Sequence, residues 1–183
     1  MKPNDVLKEI GKLSEGTFLP IIGPKKGKLL VDLIKKYQPM RVLEVGTLVG
    51  YSSILMAQNL PRGGRIISIE IDSDMAKIAR ENIERVGFDH LVDVKLGDAT
   101  KLIPTVKDKV DFLFLDAAKE EYMQYLKLAE SKLNKNAVVV ADNVKMFADG
   151  MKDYLDYVRG SPKYESKTYD FGSDAMEVSI LKH

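Results

Sequence analysis

Short runs of β-type residues alternate with longer segments of helical period along most of this chain, and this alternation limits the fold more than any other feature of the sequence. The predicted strands cover residues 41–45, 65–71, 91–96, 110–116 and 137–142. The predicted helices lie around residues 27–37, 51–60, 74–86, 120–133 and 149–159. Strands separated by helices connect through right-handed βαβ crossovers, so the pattern predicts a mostly parallel sheet with helices on both faces.

The last segment of the chain departs from this alternation. The β-type runs YESKTYDF and AMEVSILK are separated only by Gly172, Ser173 and Asp174. A short polar link that contains glycine is typical of a hairpin and not of a crossover. We therefore predict an α/β sheet with an antiparallel edge.

Size and composition indicate one domain. The 183 residues are 45% hydrophobic, and we expect a helical cap over residues 1–38 and a single core over residues 39–183. The net charge is +1, from 28 basic and 27 acidic residues, so no bulk field attracts nucleic acid. No signal peptide or spanning segment is evident, and we expect a cytoplasmic protein with no membrane partner. A homodimer is compatible with this composition.

The cysteine and histidine counts narrow the chemistry. The chain has no cysteine, and its only histidines are His90 and His183. Thiolate nucleophiles, disulfides and cysteine-based metal sites are therefore excluded, and a histidine-rich metal site is disfavoured. We expect any bound metal to be held by oxygen ligands.

The loop after the first predicted strand has the features of a ligand-binding turn. The stretch VLEVGTLVGYSS places Gly46 and Gly50 directly after that strand, and Glu70 ends the second strand. In parallel sheets, ligands bind beyond the carboxyl ends of the strands, where glycine lets the backbone approach them and an acid can accept hydrogen bonds from a ribose. Taken singly, each feature is equally typical of ordinary turn chemistry. Together they favour a cofactor that contains a nucleoside.

The same loop discriminates between cofactors. Leu48 occupies the place of the second glycine of the dinucleotide fingerprint, and the chain contains no phosphate-binding P-loop motif. Glu44 precedes the turn, and a carboxylate there would repel a pyrophosphate but suit the cationic sulfonium of S-adenosylmethionine. S-adenosylmethionine is therefore the preferred cofactor, with a nicotinamide dinucleotide second.

Acidic and amide side chains close the fourth and fifth predicted strands. Asp116 follows one, and Asp142 with Asn143 follows the other. If the two strands are neighbours, these oxygens lie at one sheet edge and favour Mg²⁺ or another divalent cation. A helix N-cap or an Asx-turn is the competing interpretation of each acid. Lys119 would have a lowered pKa beside a metal and could then accept a proton, although most lysines are simply solvated.

Several of these stretches together resemble the catechol O-methyltransferase family and its metal-dependent relatives that methylate small molecules. The resemblance runs from about residue 18 to the end of the chain. It lies in the stretches GPKKGKLLVDLIKKYQP, VLEVGTLVGYSS, IISIEID, FLDAAKEEY, VVVADNV, YVRGSPKYESKTY and DAMEVSILK. It implies a class I methyltransferase fold, which is a Rossmann-like three-layer sandwich around a seven-stranded, mostly parallel sheet with an antiparallel last strand.

The resemblance also implies a role for each matching residue. Lys119 falls on the catalytic lysine that takes the proton of the hydroxyl to be methylated. Phe18 and Phe147 fall at an aromatic gate over the acceptor. The implied metal ligands are Asp116, Asp142 and Asn143. The implied cofactor-binding residues are Glu44, Gly46, Ser52, Glu70, Ile71, Gly97, Asp98, Ala99 and Asp116.

This chain departs from the family pattern at two places. Ala117 and Ala118 stand where the family often has His and Trp beside the adenine. The acid that holds the second catechol hydroxyl has no clear match, and Asp170 and Asp174 are its candidate counterparts.

The sequence thus predicts an S-adenosylmethionine- and Mg²⁺-dependent O-methyltransferase whose partner is a small hydroxylated aromatic acceptor, a catechol-like vicinal diol. Two alternatives are an O-methyltransferase that acts on a hydroxylated base in RNA and a non-catalytic module that binds a nucleoside.

Overall fold

A computed structural model describes residues 1–182. The helices are α1 Pro3–Gly16, α2 Gly23–Tyr37, α3 Tyr51–Ala57, α4 Ser73–Arg85, α5 Ala99–Leu102, α6 Tyr122–Glu130 and α7 Lys152–Gly160. The strands are β1 Arg41–Val45, β2 Arg65–Glu70, β3 Val92–Leu96, β4 Val110–Leu115, β5 Leu133–Ala141, β6 Tyr164–Asp170 and β7 Ala175–Leu181. None of the helices in this part of the chain is long and apolar enough to cross a membrane.

The seven strands form one sheet in the order β3-β2-β1-β4-β5-β7-β6. Strands β1 to β5 pair in parallel with one another. The last strand, β7, runs antiparallel to both β5 and β6. The predicted fold class and the predicted carboxyl-terminal hairpin are therefore confirmed.

Successive side chains along each strand point to opposite faces of the sheet, and this alternation produces a three-layer structure of helices, sheet and helices. Leu43, Leu113 and Val139 belong to the core on one face of the sheet. Their chain neighbours belong to the core on the other face, as Val42 and Phe112 do. Helices α1 to α4 bury their apolar residues in the second core, and α5 to α7 bury theirs in the first. The helices therefore cover both faces, as the βαβ pattern predicts.

The predicted ends of the helices and strands differ clearly from the observed ends around β5. This strand begins at Leu133 and not at residue 137, because Leu133 pairs with Val110 before the register shifts. The left-handed backbone of Asn136, with φ 64°, accommodates the irregularity. Helix α6 consequently ends at Glu130, three residues before the predicted end at residue 133.

The order of the strands reverses between β1 and β4, since β1 lies between β2 and β4. At such a switch point the loops that follow neighbouring strands diverge to opposite faces and leave a crevice at the carboxyl ends of the strands. The turn after β1 and the turn after β4 meet there, and they bring the predicted site residues together.

Candidate active site

A cavity of about 750 Å³ opens at the carboxyl ends of β1, β2, β4 and β5. All but one of the predicted site residues line it. These lining residues are Phe18, Gly46, Ser52, Glu70, Ile71, Gly97, Asp98, Ala99, Asp116, Lys119, Asp142, Asn143 and Phe147. The fold therefore gathers residues from the link between α1 and α2 and from the carboxyl ends of β1 to β5 around one space.

Glu70 anchors the loop that follows β1. One carboxylate oxygen accepts hydrogen bonds from the backbone amides of Thr47 at 3.1 Å and Leu48 at 2.7 Å. The other oxygen accepts from the amide of Asp72 at 3.0 Å. The oxygen that accepts only from Asp72 keeps a free lone pair, so Glu70 can shape the loop and also accept a hydrogen bond from a ribose.

Gly46 lies where the turns after β1 and β4 touch. Its φ of 101° is in the left-handed region, and a Cβ atom there would lie 2.2 Å from the carbonyl oxygen of Asp116. Only glycine fits this position, for reasons of both conformation and space. The close approach fixes the distance between the glycine loop and the acid that ends β4.

Glu44 is the predicted site residue that does not line the cavity. Its side chain is fully buried, and its carboxylate accepts hydrogen bonds from the hydroxyls of Ser52, Ser53 and Ser68. Burial raises the pKa of Glu44, although the hydrogen bonds from these three hydroxyls act to lower it. Among the described residues, Glu44 is linked to the cavity by its hydrogen bond with Ser52, and Ser52 lines the cavity.

The loop after β3 contributes the neighbouring wall, formed by Gly97, Asp98 and Ala99. One oxygen of Asp98 accepts hydrogen bonds from the backbone amide of Thr100 at 2.8 Å and from its hydroxyl at 2.6 Å. Asp98 is therefore the N-cap of α5, and its second carboxylate oxygen lies 3.4 Å from the Nζ atom of Lys101.

Asp116 and Lys119 form an ion pair in the loop that follows β4. The Nζ atom of Lys119 lies 2.8 Å from Oδ1 of Asp116 and donates to the hydroxyl of Tyr122 at 3.0 Å. Both charged side chains are only 17% exposed. Burial raises the pKa of Asp116 to about 7, with the Lys119 charge opposing and the Asp142 charge adding to the rise.

The backbone at the end of β5 turns sharply to present Asp142 and Asn143. Asn143 has φ 61°, a left-handed conformation that asparagine tolerates better than most residues. Its backbone amide donates to Oδ1 of Asp142 at 2.7 Å. Burial raises the pKa of Asp142, and the nearby Lys26 opposes that rise. The Asx-turn that competed as an interpretation of the sequence is not formed at Asp142, because the bond to Oδ1 comes from the next residue and the amide of Val144 donates to Ala175 instead. Asp142 and Asn143 do line the same cavity as Asp116.

Three oxygen atoms at this end of the cavity are free to bind a cation. Oδ2 of Asp116, Oδ2 of Asp142 and the amide oxygen of Asn143 accept no hydrogen bond from any residue within 1–182. Across those residues, no group of three His, Cys, Asp or Glu side chains could hold a metal. The donor set of two carboxylates and one amide oxygen fits a hard divalent cation, with Asn143 as the necessary third ligand.

The sequence did not reveal Lys26 as a site residue, and it suggested Asp174 only as a candidate for the acid that holds the second catechol hydroxyl. The Nζ atom of Lys26 lies 2.6 Å from Asp142 and 2.5 Å from Asp174. Burial lowers the pKa of Lys26, but hydrogen bonds and charge from the two acids outweigh it and raise that pKa. Likewise, burial raises the pKa of Asp174, yet hydrogen bonds from Lys26 and its other donors bring it down to about 2.

This geometry corrects the expectation for the second catechol hydroxyl. Asp174 is 4% exposed and is occupied by Lys26 and Asn143. Asp170 pairs with Lys145 at 2.9 Å on the surface. Neither acid lines the cavity, so neither can hold an acceptor hydroxyl in this conformation.

The outer rim of the cavity is apolar. Phe18 is 99% exposed and Phe147 is 46% exposed, although both contact the cavity. Met146 beside Phe147 is also exposed. Large exposed apolar side chains around a polar floor are typical of a site that holds a flat apolar ligand.

Comparison with known proteins identifies the family. A family model described as O-methyltransferase matches residues 4–154. The chain belongs to the O-methyltransferase family. This methyltransferase is 35% identical to mouse catechol O-methyltransferase over 96% of its own length and 69% of the relative's. It is 36% identical to zebrafish catechol O-methyltransferase B, over 87% of its own length and 65% of the relative's.

Solved structures agree with this placement. The methyltransferase superposes on an O-methyltransferase from Bacillus cereus in complex with SAH, with a TM-score of 0.88, 28% identity and coverage of 97% and 91% of the two chains. It also superposes on an O-methyltransferase of tomaymycin synthesis from Streptomyces achromogenes in complex with SAM. There the TM-score is 0.89, the identity is 27%, and the coverage is 97% and 90%.

Proposed function

We propose that this O-methyltransferase transfers the methyl group of S-adenosylmethionine to one hydroxyl of a catechol-like vicinal diol and that the reaction requires Mg²⁺ or another divalent cation. The observation that carries this proposal is the shared cavity, where the glycine loop and Glu70 face Asp116, Lys119 and Asp142. The catechol O-methyltransferases among its relatives and the SAM- and SAH-bound structures support the same assignment.

The cofactor occupies the end of the cavity formed by the loops after β1, β2 and β3. Glu70 accepts a hydrogen bond from a ribose hydroxyl, while Ile71 packs against the adenine. Gly46 and Ser52 surround the methionine part. Because Ala117 and Ala118 also line the cavity and are small, the adenine lies in a pocket with few side-chain contacts on that wall.

Asp116, Asp142 and Asn143 would hold the cation through the three free oxygens. When bound, a divalent cation supplies Lewis-acid polarisation of the acceptor oxygens and lowers the pKa of the hydroxyl to be methylated. The apolar rim at Phe18 and Phe147 covers the aromatic ring of the acceptor and keeps water from the reacting oxygen.

Lys119 is the group placed to take the proton from the acceptor. Its Nζ atom lines the same wall as Asp116, and the hydroxyl of Tyr122 gives it a second fixed contact. These two contacts hold the amine in place. The neutral form of Lys119, which is the form that can accept a proton, would be favoured beside a bound divalent cation, and Asp116 pairs with the ammonium that results. Positioning of the oxygen in line with the methyl group supplies the rest of the rate enhancement.

A substrate panel tests the proposal. The protein is incubated with S-adenosylmethionine and Mg²⁺ together with catechols, meta-diols and monophenols of matched size. We expect methyl transfer to the vicinal diols only, because both oxygens must reach the cation, and we expect a chelator to abolish it. Absence of transfer to every diol would refute the acceptor class. Full activity with the chelator would refute the metal requirement, and salt-sensitive methylation of RNA would support the alternative acceptor.

A further inference from the structure

Lys26 and Asp174 contact the candidate metal ligands Asp142 and Asn143, and Lys26 also lines the cavity. Lys26 lies in the first turn of α2, and Asp174 lies in the turn between β6 and β7. Both are far along the chain from Asp142, yet the Lys26 ammonium bridges the two carboxylates. The side chains are 13%, 3% and 5% exposed for Lys26, Asp142 and Asp174. Such a buried cluster of charges is ordered only if each member has a partner.

We propose that Lys26 and Asp174 are positioning residues that hold Asp142 and Asn143 in the geometry required to bind the divalent cation. This inference rests on the proposed function, because it assumes that a cation binds at these ligands. We call the pair the Lys26–Asp174 clamp.

The inference is based on which atoms of Asp142 and Asn143 are already hydrogen-bonded and which are free. Lys26 and the Asn143 amide both contact Oδ1 of Asp142, so Oδ2 is the oxygen left for a metal. Asp174 accepts a hydrogen bond from Nδ2 of Asn143 at 2.7 Å. This contact fixes which way the amide group points and leaves its oxygen as the free ligand. Each half of the clamp therefore orients one ligand by occupying the atom that the metal does not use.

The second oxygen of Asp174 ties the clamp to the backbone. Oδ1 accepts from the amide of Met146 at 3.0 Å and from that of Lys145 at 3.4 Å. The amide of Val144 in addition donates to the carbonyl of Ala175 at 3.0 Å. The turn of the β6–β7 hairpin therefore holds the segment that follows β5. This explains why an antiparallel hairpin at the sheet edge matters for a site at the switch point.

Charge balance requires both members of the clamp. Without the ammonium, the carboxylates of Asp142 and Asp174 would repel each other across a buried space. Without Asp174, Lys26 would keep Asp142 as its only partner, and the amide of Asn143 would lose its anchor. Removal of either member should therefore weaken metal binding more than it weakens the fold.

Titration with Mn²⁺, followed by calorimetry and by its electron paramagnetic resonance spectrum, tests the clamp without a methyl acceptor. We expect Lys26→Met and Asp174→Asn each to weaken Mn²⁺ binding by about 10–100-fold and to broaden the spectrum of the bound ion. Lys26→Arg should recover part of the affinity, because arginine can still bridge two carboxylates. Thermal unfolding of each variant reports whether the fold persists.

Matched controls separate positioning from general loss of charge. Lys28→Met removes an exposed lysine of α2, and Asp170→Asn breaks the surface ion pair that the β6–β7 hairpin makes with Lys145. Both variants should leave Mn²⁺ binding unchanged. Equal or tighter Mn²⁺ binding in folded Lys26→Met and Asp174→Asn would overturn the clamp, and tighter binding would show that Lys26 competes with the metal. Failure of the unaltered protein to bind millimolar Mn²⁺ would instead refute the metal site itself, and the clamp with it.

Discussion

The two ends of the cavity are built in different ways. The cofactor end uses backbone atoms of one βαβ unit, where Glu70 holds the amides of Thr47 and Leu48. The opposite end, which we call the acceptor end, uses charged side chains from distant segments, where Lys26 and Asp174 meet Asp142. The geometry of the cofactor end depends on the conformation of one turn. The geometry of the acceptor end depends on the whole sheet, because its charged residues are far apart along the chain. Variants at the two ends should therefore fail in different ways.

The largest effect is expected at Lys119. Lys119→Met should lower the rate of methyl transfer by about 10²–10⁴-fold, because it removes the proposed general base. S-adenosylmethionine binding, measured by calorimetry, should be unaffected. Lys101→Met is a matched control, since Lys101 also lies three residues after an acid at a strand end but is 82% exposed. Equal loss of rate in both variants would show that Lys119 has no special role.

The next effect concerns the cofactor end. Glu70→Gln should weaken S-adenosylmethionine binding by about 10–100-fold, because hydrogen bonds to a charged carboxylate are lost. Mn²⁺ affinity should remain the same, since the metal ligands lie at the other end. Asp72→Asn, two residues further along, keeps an N-cap for α4 and should bind the cofactor normally. A loss of metal affinity in Glu70→Gln would contradict the separation of the two ends.

Gly46 is the point where the two ends touch, and its substitution should affect stability. Gly46→Ala should lower the free energy of unfolding by about 2 kcal/mol or more, because the added Cβ overlaps the carbonyl of Asp116. Gly172→Ala has a similar φ of 95° but open space around it, so it isolates the conformational cost of about 1 kcal/mol. If urea unfolding gave the same loss of free energy of unfolding for both variants, the close approach of Gly46 to Asp116 would have no effect on stability.

The smallest effects are in the pH dependence of stability, and their signs differ between two buried acids. Burial raises the pKa of Glu44 at the cofactor end, so its contribution is complete below the unfolded pKa and is lost as the pH rises through the folded pKa. Burial would also raise the pKa of Glu130 at the end of α6, away from the cavity, but hydrogen bonds from Tyr157 and Tyr164 outweigh it and lower that pKa. Its contribution is present above the unfolded pKa and is lost as the pH falls through the folded pKa.

Replacing each acid by its amide tests these signs. In urea unfolding at decreasing pH, Glu44→Gln should make the acid loss of stability steeper, and Glu130→Gln should make it shallower. Shifts of the same sign in both variants would contradict the opposite environments of the two carboxyls.

The difference between a locally built cofactor end and an acceptor end built from distant residues explains what the sequence could predict. The fold follows from alternation and from the hairpin link, both of which are local patterns. The cavity-lining positions of Gly46 and Glu70 also follow locally, because the carboxyl ends of adjacent parallel strands must meet. Asp116 and Asp142 could be placed near one another by the same rule once β4 and β5 were taken as neighbours.

The acceptor end shows where sequence reasoning stops. Lys26 lies in a lysine-rich stretch that is equally typical of a solvated helix face, and nothing local distinguishes it from Lys25 or Lys28. Asp174 lies in a hairpin turn, where an aspartate is expected for turn chemistry alone. Only the three-dimensional packing of α2 against the end of β5 and the hairpin turn reveals that these two residues share a buried cluster.

The central claim is that one end binds the cofactor while the other activates the acceptor through a cation, and Asp142→Ala tests it most directly. Cofactor affinity and single-turnover methyl transfer to a catechol are measured on the same sample with saturating S-adenosylmethionine and Mg²⁺. The account predicts unchanged cofactor affinity and a transfer rate reduced by about 100-fold or more. A transfer rate equal to that of the unaltered protein would contradict it.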